Sequence, residues 1–170
     1  MAVVVAERLK GLPDATRKEL ELLAMIASVD YELKTLLLRL LEAPSERVVW
    51  HKYLALVLWQ VLEELPTQLG PGLQAEGKAF KSAVKEVRND RAFTAELLRV
   101  RNEVAAHLGT AQTGPGRLEW SFDSMISEAK GEPAILSRLA IEAIKVSAAV
   151  HELGSSLIRK HAATFPGARV

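Results

Sequence analysis

Apolar residues recur every three or four positions through most of this chain, which is the spacing that gathers them on one face of a helix. The first predicted helix begins near Asp14 or Thr16 and ends before Pro44. Thr16 and Glu19 have the T-x-x-E spacing of an N-terminal capping box. The apolar stripe of this helix comprises Leu22, Ile26, Val29, Leu33, Leu36 and Leu40. The pattern predicts one long amphipathic helix that packs against a core on one side.

The second predicted helix, over about 45–65, has apolar residues on all sides. Trp50 and Trp59 are nine positions apart, which at about 100° per residue places them on opposite sides of the helix. A helix of this kind is buried on both sides, either in the middle of a bundle or against a partner. Pro66 and the Gly-Pro-Gly turn at 70–72 predict where this helix ends.

Two further helices are predicted over about 73–89 and 90–108, either as separate elements or as one bent rod. Gly109 is suited to end the second of them. The longest loop follows at 110–116. Polar and apolar residues alternate at 117–122, which is compatible with a short extended segment, although an isolated strand has no sheet to join.

The last predicted helix opens at Pro133, a residue suited to the first helical position, and runs to about His161. It carries a three-four heptad of Leu136, Leu139, Ala143, Val146, Val150, Leu153 and Leu157. Such a seam is typical of a coiled coil or of a core stripe inside an antiparallel bundle, and we expect the core stripe. The seam and the all-round apolar second helix also predict a homodimer, because a bundle of this size has difficulty hiding both.

These patterns together predict an all-α fold with a single helical domain over 1–170, built as a bundle of four or five helices. We expect the two ends, about 1–12 and 163–170, to be less ordered. Hydrophobic residues are 49% and charged residues 25% of the chain, an ordinary balance for a globular protein. The absence of cysteine excludes disulfide scaffolds, Cys-ligated zinc, iron–sulfur clusters and thiol catalysis.

No segment has the pattern of a membrane span or a leader peptide. The most apolar stretch, 48–62, contains His51 and Lys52 and is shorter than the ~20 residues of a spanning helix. The apolar start, residues 1–6, is too short for a signal sequence. We therefore expect a soluble, cytoplasmic protein without membrane contact.

Histidine chemistry is expected at one place. His51 lies in the apolar second helix and is expected in the core or an interface, His151 is expected to face solvent, and His161 lies near the end of the last helix. No histidine pair has metal-site spacing and no phosphate-binding glycine motif occurs, so neither a metal nor a cofactor is expected. His107 differs, because it precedes the helix-ending glycine and can reach solvent there.

The residues before His107 favour phosphate chemistry. Glu103 is four positions earlier and so lies on the same helical face, where its carboxylate can hold one ring nitrogen of His107. Arg101 is six positions earlier, about 120° round the helix and ~9 Å along it. An imidazole transfers protons near neutral pH, and a guanidinium holds phosphate oxygens bidentately. An arginine and a histidine this close occur often by chance, however.

Positive charge is concentrated before this motif, in a chain whose net charge is only +1. Between 78 and 101 the positive residues are Lys78, Lys81, Lys85, Arg88, Arg91, Arg99 and Arg101, against Glu86, Asp90 and Glu96. The first four follow spacings of three, four and three, which predicts one basic stripe along a helix. The stripe, with Arg99, is predicted either to follow a phosphate backbone or to form an ordinary solvated face.

Arg101, Asn102 and His107 together resemble the R-x4–6-H motif of HEPN domains (higher eukaryotes and prokaryotes nucleotide-binding), in which a polar residue commonly follows the arginine. The spacing here is R-x5-H. The resemblance implies an all-α bundle of four or five helices. It also implies a homodimer whose arginines and histidines line a shared cleft, and in many members a metal-independent ribonuclease of toxin–antitoxin or other defence systems.

Part of the family pattern is missing here. Members paired with a nucleotidyltransferase antitoxin often carry a tyrosine two residues after the histidine, and Gly109 stands at that position. Regulation through modification of that tyrosine is therefore not available to this chain. Some HEPN domains also serve only in binding or assembly.

Three functions are compatible with these features. The first is a ribonuclease in which His107 is the general acid/base, Arg101 stabilises the phosphate, and Asn102 positions the phosphate or the histidine. Its RNA-binding residues would be Glu103, Lys78, Lys81, Lys85, Arg88 and Arg99. The second is a non-catalytic helical module that dimerises or binds an antitoxin or other protein. The third is a nucleotide-binding sensor that uses the same cleft.

Overall fold

The computed structural model describes residues 11–42, 47–109 and 134–162; the side chains of 47–48, 103–109 and 134–137 lie outside that description. The described elements are all helical, which confirms the predicted all-α bundle. They are α1 (Asp14–Glu42), α2 (Arg47–Trp59), a π-helical segment (Gln60–Glu64), α3 (Leu65–Gln68), a 3₁₀ turn (Pro71–Leu73), α4 (Gln74–Ala83), α5 (Lys85–Asn89), α6 (Arg91–Gly109) and α7 (Ala134–Lys160). The loop 110–116, the stretch 117–122 and the two chain ends lie outside the described residues.

Two helices occupy the centre of the bundle. α7 packs against α1, α4 and α2, and α2 packs in addition against α1 and α6. The core between them consists of leucine and valine side chains that are almost fully buried, among them Leu33, Leu54, Leu58, Leu62, Val146 and Val150. Because α2 has neighbours on several sides, most of its apolar residues are buried within one chain, whereas Val49 and Tyr53 remain exposed.

The heptad of α7 is a core stripe, as expected. Its described members Leu139, Ala143, Val146, Val150, Leu153 and Leu157 are all buried within the chain. The seam of α7 therefore gives no support to a homodimer, because its contacts with α1, α2 and α4 bury it within one chain. The second helix is only partly covered, since Val49 and Tyr53 remain exposed. The homodimer stays a prediction.

The predicted capping box does not cap the first helix. α1 begins at Asp14, so Thr16 lies inside the helix, and the carboxylate of Glu19 is used elsewhere. Its Oε2 is 2.8 Å from Nζ of Lys160 and 2.9 Å from Nε2 of His161 at the end of α7. The last turn of α7 is therefore tied to α1, and His161 is buried there.

The second helix does not end at Pro66. Proline has no N–H, and its ring collides with the carbonyl oxygen four residues earlier in a regular α-helix. Here the chain widens into the π-helical segment just before it, where the N–H of Leu65 donates to the carbonyl of Gln60. This wider turn allows the helical path from α2 to continue through Pro66 to Gln68.

The third and fourth predicted helices are separate elements and not one bent rod, and the boundary between them lies at Asp90. The Asp90 backbone is extended, and its carboxylate accepts a hydrogen bond from the N–H of Phe93 at 3.0 Å, an N-cap of α6. That bond, with the nearby charge of Arg138, outweighs partial desolvation and lowers the pKa of Asp90. A further break at Val84 separates α4 from α5.

None of the described helices is long and apolar enough to cross a membrane.

Candidate functional site

Arg101 lies on α6 where this helix crosses α2, and its side chain stacks on Trp59. The guanidinium carbon Cζ is 4.3 Å from the centre of the indole ring, well inside the range of a cation–π contact. Arg101 is exposed, whereas Trp59 is partly buried and packs against the core. The arginine of the predicted motif is thus a surface group that rests on a fixed aromatic base.

Asn102 contacts the same guanidinium from its edge. Nη1 of Arg101 donates a long hydrogen bond of 3.4 Å to Oδ1 of Asn102, and both residues are exposed. Stacking occupies one face of the guanidinium, while its N–H donors point outward in the plane of the group. Among the described residues Arg101 forms no ion pair, so its charge is available to an anion.

A second arginine meets the same helical rod one turn further on. Nη2 of Arg88, on α5, is 3.6 Å from Oε2 of Glu63, which lies four residues after Trp59 in the π-helical segment. One helical turn spans about 5.4 Å, so the contact residues Trp59 and Glu63 are about one turn apart along this rod. We call Trp59, Glu63, Arg88, Arg101 and Asn102 the arginine face.

His107 and Glu103 both lie on α6, six and two positions after Arg101. Their side chains are outside the described residues, so the predicted bond between them stays a prediction. α6 includes Gly109 as its last residue, which places the backbone of His107 in the final turn of the helix. The motif therefore occupies one helix, with its arginine near the middle and its histidine near the end.

The basic stripe has two different parts. Lys78, Lys81 and Lys85 are exposed and make no ion pair among the described residues. Arg88, predicted as the fourth member, turns instead toward Glu63. The stripe is also not on a single regular helix, because the break at Val84 divides it between α4 and α5. Backbone hydrogen bonds from Val84 to Phe80 and from Arg88 to Val84 nevertheless keep the path helical.

Arg99 is engaged within α6. Its Nε is 3.0 Å from Oε2 and its Nη2 is 2.5 Å from Oε1 of Glu96, a bidentate pair three residues apart. A guanidinium whose Nε and Nη2 edge is paired with a carboxylate offers little charge to a phosphate. Of the seven positive residues between 78 and 101, Arg88 and Arg99 are paired with carboxylates. The three lysines, Arg91 and Arg101 have no ion pair among the described residues.

The remaining histidines have structural positions. His51 is buried in α2, as expected. His151 is exposed, also as expected, but its Nδ1 lies 3.3 Å from Oδ2 of Asp30 on α1. His161 is more buried than its place near the chain end suggested. Within the described part of the chain, no group of three metal-ligating side chains is close enough together to hold an ion.

Sequence reasoning missed Trp59 and Glu63 as members of the site. Trp59 was noticed only as part of an apolar helix, and it is 42 positions from Arg101 in the sequence. No local spacing connects residues so far apart, and only the crossing of α2 and α6 brings them together. No protein family, no curated protein and no solved structure matches this chain.

Proposed function

We propose that this protein is a metal-independent endoribonuclease of HEPN type, with Arg101, Asn102 and His107 as its catalytic residues. The observation that carries the proposal is the state of Arg101. Its guanidinium is exposed, stacked on Trp59 at 4.3 Å and unpaired with any carboxylate among the described residues. A fixed, uncompensated arginine beside a polar residue, on the same helix as a histidine, is suited to a phosphate group.

The reaction uses a nucleophile that RNA itself carries. The ribose 2′-oxygen attacks the adjacent phosphorus, the bond from phosphorus to the 5′-oxygen breaks, and a 2′,3′-cyclic phosphate and a 5′-hydroxyl result. His107 takes the proton of the 2′-hydroxyl as general base. A protonated imidazole, supplied by the second subunit of a dimer or regenerated on His107, gives a proton to the departing 5′-oxygen.

Arg101 stabilises the charge that develops on the phosphoryl oxygens during this step. Its in-plane N–H donors match two oxygens of one phosphate. Stabilisation of developing charge by donors that are already oriented is often the largest single contribution to catalysis. Asn102 touches the same guanidinium at 3.4 Å and fixes the orientation of its Nη1 edge.

The exposed lysines extend the site along the RNA. Lys78, Lys81 and Lys85 lie on successive turns of α4 and α5 without ion pairs among the described residues. Arg88 connects this run to the arginine face, because it contacts Glu63 one turn from Trp59. Lysines arranged in this way bind successive phosphates, and such binding weakens as salt concentration rises. Arg99, in contrast, is not part of the proposed RNA surface.

The proposal includes a homodimer and a cellular setting. In a dimer, two copies of Arg101 and His107 face one cleft, which supplies one imidazole as base and another as acid. Ribonucleases of this kind act as toxins or defence components in the cytoplasm, held in check by an antitoxin or another protein partner. Neither a metal ion nor an organic cofactor enters the step written above.

The decisive experiment incubates the purified protein with mixed RNA in excess EDTA. We expect cleavage with cyclic phosphate ends, and a loss of about 100-fold or more for His107→Ala and Arg101→Ala, the range for removal of a proton-transfer or charge-stabilising group. Arg99→Ala is the matched control, since it removes an arginine two residues away that is bound to Glu96. Absence of cleavage by the wild-type protein would contradict the proposal.

A non-catalytic interaction module is the second candidate, and an exposed apolar surface favours it. Leu38 and Leu41 near the end of α1 are 56% and 75% exposed, and Val49 and Tyr53 on α2 are 48% and 49% exposed. The two helices that carry these side chains pack against each other, and exposed apolar surface at such a place often binds another protein. The same incubation separates the candidates, because a binding module leaves the RNA intact whichever residue is changed.

A further inference from the structure

Trp59 lies directly beneath the arginine to which the proposed function assigns the phosphate. Its indole packs against the core on one side and contacts the guanidinium of Arg101 on the other, with 4.3 Å between Cζ and the ring centre. An exposed arginine ordinarily samples many rotamers, because its side chain has several rotatable bonds. The contact with the indole favours one position of this guanidinium on the surface.

We propose that Trp59 is a positioning residue that holds the guanidinium of Arg101 ready to receive an RNA phosphate; the inference rests on the proposed function. Stacking and phosphate binding use different parts of the group. The indole contacts the face of the guanidinium, whereas the N–H donors lie in its plane. Arg101 therefore binds a phosphate without leaving Trp59, and little conformational freedom remains to be lost on binding.

The geometry of Asn102 indicates which donors serve the phosphate. Oδ1 of Asn102 engages Nη1 of Arg101, whereas Nη2 and Nε have no hydrogen-bond partner among the described residues. These two nitrogens form the edge of a guanidinium that pairs bidentately with two oxygens. Trp59 and Asn102 thus fix the plane and the rotation of the group, one from its face and the other from its edge.

Glu63 explains why an aromatic ring is needed rather than any apolar residue. It lies four residues after Trp59 on the same helical rod, about one turn away, and already pairs with Arg88 at 3.6 Å. Without the indole, Arg101 is free to turn toward this carboxylate and lose its available charge. The indole attracts the guanidinium through its ring face and so keeps it apart from Glu63.

The first test compares Trp59→Leu with Trp59→Phe. Leucine keeps an apolar contact with the core but removes the ring face, whereas phenylalanine keeps both. We expect Trp59→Leu to lower kcat/KM for RNA cleavage about fivefold and Trp59→Phe less than about twofold, as the strength of a partly exposed cation–π contact implies. Trp50→Leu is the matched control, a partly buried tryptophan on the opposite side of α2. Glu63→Gln should restore part of the activity of Trp59→Leu.

The second test measures binding without cleavage, so that the inference is judged separately from the reaction. A single-stranded RNA oligonucleotide with 2′-O-methyl ribose cannot be cleaved by 2′-hydroxyl attack. We expect Trp59→Leu and Arg101→Ala each to weaken its binding, and the double variant to bind no more weakly than Arg101→Ala, because the indole acts through Arg101. Circular dichroism of each variant shows that it is folded at the temperature of measurement.

The outcomes separate the two proposals. If the protein cleaves no RNA but binds the oligonucleotide in a way that depends on Trp59, the ribonuclease proposal is contradicted and the positioning role is supported. Cleavage by the wild type with equal activity in Trp59→Leu would remove the positioning role and keep the ribonuclease. The positioning role would also be overturned if the losses of binding in Trp59→Leu and Arg101→Ala added up in the double variant. The same holds if Trp50→Leu lost as much activity as Trp59→Leu. A wild type that neither binds nor cleaves overturns both.

Discussion

Charged residues have different partners at two places in the bundle. At the contact between α1 and α7 they pair with each other, whereas at the crossing of α2 and α6 an arginine packs on an aromatic ring. Between α1 and the end of α7, two carboxylates of α1 meet histidines. Glu19 meets His161, the residue after α7, at 2.9 Å, and Asp30 meets His151 of α7 at 3.3 Å. Each carboxylate also has a lysine partner, Lys160 for the first and Lys34 for the second, which lies 2.6 Å from Asp30. At the α2–α6 crossing, Arg101 meets an aromatic ring instead of a carboxylate.

The difference separates charges that join helices from charges that remain available to a ligand. Each carboxylate of the α1–α7 contact has a lysine partner within the chain, so little charge is left for anything else. An indole attracts a cation without neutralising it, so the charge of Arg101 persists at the surface. We therefore expect substitutions between α1 and α7 to alter stability, and substitutions at the arginine face to alter RNA cleavage.

The largest effect is expected for a core leucine between the two helices. Leu33 has no exposed surface and belongs to the central core, so Leu33→Ala should lower the free energy of unfolding by about 2–5 kcal/mol. Urea denaturation followed by circular dichroism measures the loss. Leu98→Ala, at a 41% exposed leucine of α6, should cost far less. Similar losses for both would mean that the core lies elsewhere.

The contact between the buried His161 and Glu19 is expected to have the next largest effect on stability. His161→Ala should cost about 1–3 kcal/mol, because it removes a partner from the largely buried carboxylate of Glu19. His151→Ala is the matched control: it also faces a carboxylate of α1, but its side chain is 61% exposed. We expect the control to stay within about 0.5 kcal/mol of the wild type. Thermal melts of the two variants at neutral pH make the comparison.

Glu19 should also make stability depend on pH in the acid range. Burial by itself raises the pKa of Glu19, but hydrogen bonds and charges from Lys160 and His161 outweigh it and lower the pKa below its ordinary value of 4.5. The unfolded chain therefore binds a proton more readily, so this stabilisation is present above pH 4.5 and is lost as pH falls through the lower folded pKa.

Glu19→Gln tests that dependence. The variant should be less stable than the wild type near neutral pH, and the difference should shrink as pH falls below 4.5. Urea denaturation at several pH values between about 3 and 7 gives the two curves. Gly72→Ala is a second variant that acts on this carboxylate, because the added Cβ would displace Oε1 of Glu19. A constant difference across this range would contradict the lowered pKa.

A smaller effect on stability is expected at the arginine face. Arg101→Ala should cost about 0.5–1 kcal/mol, the strength of an exposed cation–π contact, although it abolishes cleavage under the proposed function. The coupling energy between Arg101→Ala and Trp59→Leu, from a double-mutant cycle of urea denaturation, isolates the contact. A coupling energy of zero would mean that the stacked geometry contributes nothing in solution.

The smallest stability effect is expected for the exposed lysines. Lys81→Ala combined with Lys85→Ala should stay within about 0.5 kcal/mol of the wild type, because neither lysine has an ion-pair partner among the described residues. RNA binding should weaken, and the slope of log affinity against log salt should fall by about 0.7–0.9 for each lost phosphate contact. An unchanged slope would identify these lysines as an ordinary solvated face.

Most of the helices and much of the core were predictable from the sequence. Spacings of three and four residues depend only on helical geometry, so Ile26, Leu33 and Leu40 on α1, and Val146 and Val150 on α7, could be assigned to the interior. Asp90 was also identifiable as a boundary, because a capping side chain acts on the backbone a few residues away. The motif of Arg101, Asn102 and His107 was likewise visible, because it lies within one helix.

Which charges are paired and which remain available depends on how the helices pack in three dimensions. Glu19 was predicted to cap α1, but the end of α7 brings Lys160 and His161 to it. Arg88 was predicted to extend a basic stripe, but the fold places Glu63 beside it. Trp59 and Arg101 are separated by 42 positions and meet because α2 and α6 cross. Electrostatic and aromatic contacts depend on distance in space, and sequence spacing determines that distance only within a few turns of one helix.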